Sequence, residues 1–297
     1  MSIVVENLSF TYMKKTPFEK KALDGVSLTV FDGEFLGIIG STGSGKSTLI
    51  QHFNGLIKPE SGRVVVGDID LTAKKCDLKS VRQKVGIVFQ YPEYQLFDET
   101  VAKDIAFGPR NLGLSEEEID ARVRESLALV GLDEDIAEKS PFDLSGGQKR
   151  RVAIAGVIVT KPEILVLDEP AAGLDPLGKE EIMGLLHKIH SDWCKTVIVV
   201  SHDMDEIAEN CTRAAIFSEG KVLNVAEPKQ LFADIEALHE KGLDVPFTAK
   251  LTRALADCGV KVDNNFTTAD FIEKTLSYVK TMGAGMRSTV KGGQNDA

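Results

Sequence analysis

Eight consecutive residues, Gly40-Ser41-Thr42-Gly43-Ser44-Gly45-Lys46-Ser47, match the spacing G-x-x-x-x-G-K-[ST]. Glycines at such positions let the backbone curl until successive N–H groups face one anion, and a helix starting at the end of the loop adds its dipole. Lys46 can neutralise the outer phosphates of a nucleotide, the Ser47 hydroxyl is a ligand for Mg²⁺, and Thr48 carries the loop into the helix. The bland alternative is a Gly/Ser turn with an exposed lysine. The flanks argue against it: Phe35 to Ile39 reads as a strand leading in, and Thr48 to Phe53 as a helix leading out.

A second reactive group follows the apolar run Ile164-Leu165-Val166-Leu167, where Asp168-Glu169-Pro170 places two carboxylates at the end of a strand. Doubly wound sheets bind ligands at such strand ends. Adjacent residues there point in different directions, which assigns Asp168 to a metal ion and Glu169 to an attacking water. Alone, an acidic pair after a strand is usually a solvated strand end; the phosphate loop in the same chain reverses that reading. A third segment, Leu144-Ser145-Gly146-Gly147-Gln148, puts small residues at the start of a helix-like run, a second place where backbone N–H groups can meet an anion. In isolation it is equally an ordinary Gly-rich helix start.

These groups need a scaffold. Ser2 to Val5, Leu28, Val30 and Phe35 to Ile39 supply β-rich segments parted by Asp24-Gly25 and Asp32-Gly33 turns, a mixed or antiparallel β-region at the N-terminus. Val85 to Phe89, Ile164 to Leu167 and Thr196 to Val200 are apolar throughout, as parallel strands covered by helices on both faces require. Residues 95–160 read as mainly helical, with a capping box of Ser115 and Glu118 ahead of Ile119, Val123, Leu127 and Val130. The expected architecture is therefore α/β: an antiparallel β-region, a parallel-sheet core and a helical subdomain. Amphipathic helices follow over Lys229 to His239, Ala249 to Cys258 and Thr268 to Thr281, and a Gly-rich polar tail from Met282 is expected to be disordered.

Composition bounds the function. The 297 residues are 43% hydrophobic and 27% charged, those of a globular protein with room for one large domain and an appendage. No apolar run approaches the roughly 20 residues that span a bilayer as a helix, and the N-terminus has no secretory-signal pattern. The four cysteines show neither C-x-x-C nor metal-ligand spacing, which suits reduced, mostly buried thiols. A net charge of −10 argues against nucleic acid as a partner.

The phosphate loop, the Leu144 to Gln148 segment and the Asp168-Glu169 pair, in that order, resemble the ABC (ATP-binding cassette) ATPases, with Ser145-Gly146-Gly147-Gln148 as their signature. The resemblance implies the P-loop NTPase fold of that family, with ATP and Mg²⁺ bound at Gly40 to Thr48. It implies catalytic roles for Lys46, Gln90, Glu169 and His202, and metal ligation by Ser47, Gln90 and Asp168. Tyr12 is similar to the aromatic that stacks on adenine, although an aromatic in a strand is more often mere packing. Ser145, Gly147, Gln148 and the Asp175 of Gly173-Leu174-Asp175 are implied to act in trans, across a dimer with a second ABC ATPase subunit that is either a copy or a relative. The resemblance covers residues 1–225, with a helical extension over 226–281 and a tail over 282–297.

After Gln90 the chain reads Tyr91-Pro92-Glu93-Tyr94-Gln95-Leu96-Phe97, then Asp104 to Pro109. This resembles the ATPases of energy-coupling factor (ECF) transporters, the cobalt and vitamin importer group, and within their ATPase pairs the second member. That likeness implies a transmembrane scaffold protein, a substrate-binding membrane protein, and a peripheral position at the cytoplasmic face of the membrane. Tyr94, Leu96 and Phe97 form either a docking patch or part of the helical interior. Another ABC importer, and a soluble ABC ATPase acting on nucleic acid or ribosomes, are the competing readings.

Overall fold

In a computed structural model of the chain, residues 2–262 and 266–291 are described, with side chains as far as 281. The chain opens with β1 (Ile3–Tyr12), β2 (Lys20–Val30), β3 (Phe35–Gly40) and α1 (Lys46–Phe53). β4 (Ser61–Val66), β5 (Ile69–Asp70), α2 (Leu78–Lys84) and β6 (Val85–Val88) come next. A helical stretch follows: α3 (Val101–Leu112), α4 (Glu116–Leu129) and α5 (Gly146–Ile158). After it come β7 (Ile164–Asp168), α6 (Pro176–Asp192), β8 (Thr196–Val200), α7 (Met204–Asn210), β9 (Arg213–Ser218) and β10 (Lys221–Ala226). The last helices are α8 (Pro228–Leu231), α9 (Ile235–Glu240), α10 (Phe247–Asp257) and α11 (Thr268–Lys291).

Two sheets organise the first part. β2-β1-β4-β5 is antiparallel throughout. The second sheet has the order β10-β9-β3-β8-β7-β6, with β3, β8, β7 and β6 running parallel. Those four strands are buried at every residue, as strands covered on both faces must be. Phe35 to Ile39, expected in the opening β-region, therefore belongs to the parallel sheet, with Phe35 opposite Val197 and Ile38 opposite Val200. Asp24-Gly25 is not a turn either. It lies inside β2, where the pairing with β1 shifts register between Leu8 and Phe10; Gly25 sits at φ 65° and donates its N–H to Ser9 Oγ at 2.9 Å. A positive φ is as compatible with a bulge as with a turn.

Helix α1 packs against β2 and β4 of one sheet and β3 of the other. Leu49, Ile50 and Phe53 are fully buried in a core shared with Ile3, Leu28 and Val64 on one side and Leu36, Val166 and Phe217 on the other. The helix that starts at the phosphate loop is thus fixed by both sheets. In the helical stretch, Ser115 Oγ accepts from the Glu118 N–H at 3.3 Å and Glu118 Oε2 accepts from the Ser115 N–H at 3.2 Å, the capping box legible in the sequence.

The chain divides into two compact units, Met1–His202 with Ala215–Val225, and Asp203–Ala214 with Ala226–Ala297. The second includes α7, although residues 1–225 are expected from the sequence to form one unit. Two α7 carboxylates explain the grouping: Asp205 Oδ1 accepts from the Phe247 N–H at 2.8 Å and Glu209 Oε1 from the Thr268 N–H at 2.7 Å, at the starts of α10 and α11. Leu231, Phe232, Leu238, Leu243, Val245 and Phe266 are buried in this unit. The single helix expected over Lys229 to His239 is two, because Asp234 caps α9 by accepting from the Ala237 N–H at 3.0 Å. Helix α11 carries on beyond Met282, the expected start of a disordered tail, to Lys291. Isolated glycines such as Gly283 and Gly285 cost about 1 kcal/mol each against alanine, too little to end a helix by themselves. Residues 292–297 lie outside the described residues.

Among the described residues no helix is long and apolar enough to cross a membrane. All four cysteines are thiols outside any disulfide, but only Cys194 is buried; Cys76 and Cys211 are half-buried and Cys258 is exposed. The expectation of mostly buried thiols thus holds for one of them, whose pKa burial pushes up to about 11.

Candidate nucleotide site

The loop from Gly40 to Ser47 joins the buried end of β3 to α1. Its backbone is crowded: a Cβ on Gly40 would lie 2.4 Å from Phe217 O, and one on Gly45, at φ 108°, 2.4 Å from Ala22 O. Only glycine fits either position. Ser41, Thr42 and Gly43 are exposed, while Ser44 and Lys46 are buried. Lys46 Nζ donates to the carbonyls of Gly40 at 2.7 Å and Ser41 at 3.0 Å, folding the ammonium back over the loop. Burial lowers its pKa, and the Glu169 and Asp168 carboxylates push it back up. Ser44 Oγ is buried with no hydrogen-bond partner, a polar atom inside the loop with bonding capacity to spare.

Asp168 ends β7 and is 6% exposed. Its Oδ2 accepts from Ser47 Oγ at 2.7 Å, tying the loop to the strand across 121 residues of sequence. Burial raises the Asp168 pKa; the Ser47 hydroxyl opposes that, Glu169 adds to it, and Lys46 opposes it in turn.

Glu169 is in the left-handed region at φ 51°, and its N–H donates to Val200 O at 2.8 Å. A non-glycine residue there costs roughly 1–2 kcal/mol and persists only where its surroundings hold it. The turn carries the side chain to a different set of partners from Asp168. Glu169 Oε2 accepts from Gln90 Nε2 at 2.7 Å, and Oε1 lies 3.1 Å from His202 Nδ1. The sheet order accounts for the meeting: β6, β7 and β8 are adjacent and parallel, so the residues just beyond their ends, Gln90, Glu169 and His202, fall side by side.

Tyr12, at the end of β1, is 38% exposed, and its hydroxyl is 3.3 Å from Thr48 Oγ1. A cavity of about 170 Å³ is lined by Tyr12, Lys20, Ala22, Gly43, Gly45, Lys46, Ser47 and Thr48. Lys20 and Ala22 belong to no motif in the linear sequence; they reach the cavity through the pairing of β1 with β2, which sets Lys20 opposite Tyr12.

Ser145, Gly147 and Gln148 stand at the start of α5 in another setting. Ser145 Oγ accepts from the Gln148 N–H at 3.3 Å and Gln148 Oε1 from the Ser145 N–H at 3.0 Å, a second capping box. Ser145, Gly146 and Gly147 are exposed, and a Cβ on Gly146 or Gly147 would meet nothing within 4 Å. Asp175 caps α6, accepting from the Gly178 N–H at 2.7 Å. The two readings of the Tyr94 region divide by residue: Leu96 is buried, whereas Tyr94 is 84% exposed and Phe97 59%, Phe97 standing edge-on to Phe107 at 5.1 Å.

A phosphate loop, a strand-end carboxylate pair and an exposed glycine-rich helix start on this pair of sheets define an ATP-binding cassette. The family model described as "ABC transporter" matches residues 23–172. The energy-coupling factor transporter ATP-binding protein EcfA2 of Clostridium tetani is 53% identical over 277 residues, 93% of this chain and 96% of that protein. Its counterpart from Clostridium perfringens is 49% identical over 94% of this chain and 99% of that protein. Among solved structures, cbiO1 of Clostridium perfringens, part of the ABC transporter complex cbiONQ, superposes with TM-score 0.70 at 39% identity, covering 86% of this chain and 96% of that one. The cassette MJ0796, solved as a dimer bound to ADP and Pi, superposes with TM-score 0.69 at 33% identity over 76% of this chain and 98% of that one. The chain belongs to the ABC transporter family, and within it to the ATP-binding proteins of energy-coupling factor transporters. As a member it is the ATPase subunit of an ECF-type importer, and its ATP hydrolysis is coupled to transport.

Proposed function

We propose that this chain binds MgATP through Gly40, Ser41, Thr42, Gly43, Ser44, Gly45, Lys46, Ser47 and Thr48, and hydrolyses it with a water held by Glu169. The observation that carries this reading is the division of labour between adjacent carboxylates: Asp168 is engaged by Ser47, while Glu169 faces Gln90 and His202. The donor set suits a hard cation, with a hydroxyl and a carboxylate already 2.7 Å apart and the Gln90 amide oxygen left over by its bond to Glu169. Ser47, Asp168 and Gln90 would hold Mg²⁺, which when bound neutralises charge on the β- and γ-phosphates. Lys46 adds its positive charge at the loop, and Tyr12 offers its ring to adenine beside Lys20. Glu169 orients and deprotonates the attacking water, and His202 donates to the γ-phosphate.

Ser145, Gly147 and Gln148 serve the nucleotide of a second ABC ATPase, a copy or a relative of this chain, and Asp175 links the two sites. The exposure of Ser145 and Gly147 at the α5 N-terminus, with Gln148 half-buried beside them, supports this. Residues 1–225 form the cassette and 226–281 an extension. The partners are a transmembrane scaffold protein, which docks on the exposed Tyr94 and Phe97, and a membrane protein that binds the solute, a vitamin or transition-metal ion. The chain then lies peripherally at the cytoplasmic face of the membrane. Nucleic acid is not a partner, in keeping with a net charge of −10.

Affinity capture from gently solubilised membranes, read by mass spectrometry, tests the assembly. A second ATPase, one scaffold and one small membrane protein are expected. A dedicated permease pair in their place would overturn the proposed partner set.

A further inference from the structure

Arg150, on the first turns of α5, has a side chain only 6% exposed. A guanidinium has five N–H donors, no acceptor and a permanent charge, so burial at this depth requires partners for both charge and donors. Glu93 supplies the counter-charge in a two-point grip: Nε donates to Oε2 at 3.2 Å and Nη2 to Oε1 at 3.1 Å. The remaining nitrogen, Nη1, donates to the carbonyls of Ala172 at 2.6 Å and Pro170 at 3.5 Å.

These anchors flank the hydrolytic pair. Glu93 lies three residues after Gln90, in a 3₁₀ turn over Pro92–Gln95, while Pro170 and Ala172 are the first and third residues after Glu169. Gln90 and Glu169 are bonded to each other at 2.7 Å. One guanidinium therefore closes a ring that runs from Gln90 through Glu93, Arg150 and Pro170 to Glu169. Both arms of the ring contain a non-glycine residue in the left-handed region, Tyr91 at φ 53° and Glu169 at φ 51°. Such turns hold only when the surroundings over-determine them, and Arg150 bonds the segment just beyond each.

We propose that Arg150 is a positioning residue for ATP hydrolysis, keeping Gln90 and Glu169 in register by clamping the two turns that carry them. The proposal rests on the assignment of Glu169 to the attacking water. Arg150 reaches neither Ser47 nor the phosphate loop, so its effect falls on turnover and not on nucleotide binding.

The test uses the full-length chain with the ATPase and membrane component that co-purify with it, measuring phosphate release against ATP concentration. Arg150→Lys keeps the charge but, as a point donor, cannot span both anchors. A fall in kcat of about tenfold with KM for ATP within about twofold is expected, the scale of a small misplacement at a reacting centre. Glu93→Gln, which weakens the same clamp from its other end, should behave alike; it also decides the matter if Arg150→Ala does not fold. In single-turnover experiments Arg150→Lys should cost clearly less in the Glu169→Gln background than in the wild type, because the part of its effect that runs through Glu169 is already lost. Wild-type kcat in both Arg150→Lys and Glu93→Gln, or a further tenfold loss in the Glu169→Gln background, overturns the proposal while leaving the hydrolytic site intact. Full turnover in Glu169→Gln alone removes the hydrolytic assignment itself.

Discussion

The starts of α1 and α5 use one device, a helix N-terminus opened by glycines, and finish it in opposite ways. At α1 the side chains are drawn inward: Lys46 is folded over Gly40 and Ser41, Ser47 is bonded to Asp168, and Thr48 meets Tyr12. At α5 the polar groups close on themselves, Ser145 with Gln148, and Ser145, Gly146 and Gly147 stay exposed. One helix start is engaged by groups of its own chain, and the other leaves its serine and two glycines exposed. The pairing of two cassettes proposed above would use that asymmetry, each contributing an enclosed half to one nucleotide and an open half to the other.

The sharpest way to break this comparison is at its enclosed half. Glu169→Gln removes the base but keeps shape, and turnover is expected to fall by about 10²- to 10⁴-fold with ATP affinity retained. Lys46→Ala leaves Glu169 in place and removes the loop's charge, so ATP affinity itself should drop by about two orders of magnitude as the Coulombic attraction to the phosphates is lost. Phosphate release and calorimetric binding on both variants check the pair. Wild-type hydrolysis in Glu169→Gln would return the Asp168-Glu169 pair to a plain strand end.

The open half calls for a different substitution. Gly147→Asp sets a carboxylate where a partner's phosphate would approach, and the empty space around that position means the side chain enters without a clash. Hydrolysis by the assembled ATPase pair should fall at least about tenfold, since a like charge now faces the phosphate, while ATP affinity of the isolated chain stays unchanged. Loss of affinity in the isolated chain would mean that the two helix starts are not separate half-sites.

The enclosed half was also the more legible in sequence. A phosphate loop is contiguous because successive backbone N–H groups must converge on one anion, so Gly40 to Ser47 and their flanks stand out in a linear reading. Asp168-Glu169 follows a run of apolar residues that marks a strand without need of neighbours. Lys20 and Ala22 were invisible because they reach the cavity only through β1 to β2 pairing, and the Arg150 to Glu93 clamp because it joins residues 57 positions apart. The placement of β3 was missed for a related reason: a fully apolar strand reads the same whichever sheet receives it. Grouping α7 with the C-terminal helices depended on two long-range carboxylate caps, Asp205 and Glu209, that no local pattern announces.

A milder perturbation separates the halves by pH. His52 is fully buried on α1, its Nδ1 2.7 Å from Thr48 O and its ring edge-on to Phe10 at 5.3 Å; helix α5 has no histidine. Burial lowers the His52 pKa. The unfolded chain takes up its proton near the ordinary value of about 6.5 while the folded chain remains neutral, so the unfolded state holds more protons and stability falls as pH drops below that point. The stabilising contribution is complete above about 6.5 and is lost on going down through the depressed folded value. Thermal melts between about pH 8 and 5.5 should show a steeper acid limb for the wild type than for His52→Leu, and parallel limbs would remove the effect.

The smallest expected effect is the most discriminating, because the chain holds an internal control. Ser115 with Glu118 on α4 and Ser145 with Gln148 on α5 are capping boxes of the same construction. Replacing either serine by alanine removes one acceptor from a helix start and costs about 1 kcal/mol of stability, which shifts Tm by about 2–4 °C in a chain of this size. If the α5 box serves only as a helix start, the two variants should match in every respect. If Ser145 also faces a partner's nucleotide, Ser145→Ala should slow hydrolysis by the assembled ATPases severalfold while Ser115→Ala, at equal loss of Tm, hydrolyses ATP as the wild type does. Equal turnover in the two variants would reduce the α5 start to the structural role that α4 already shows.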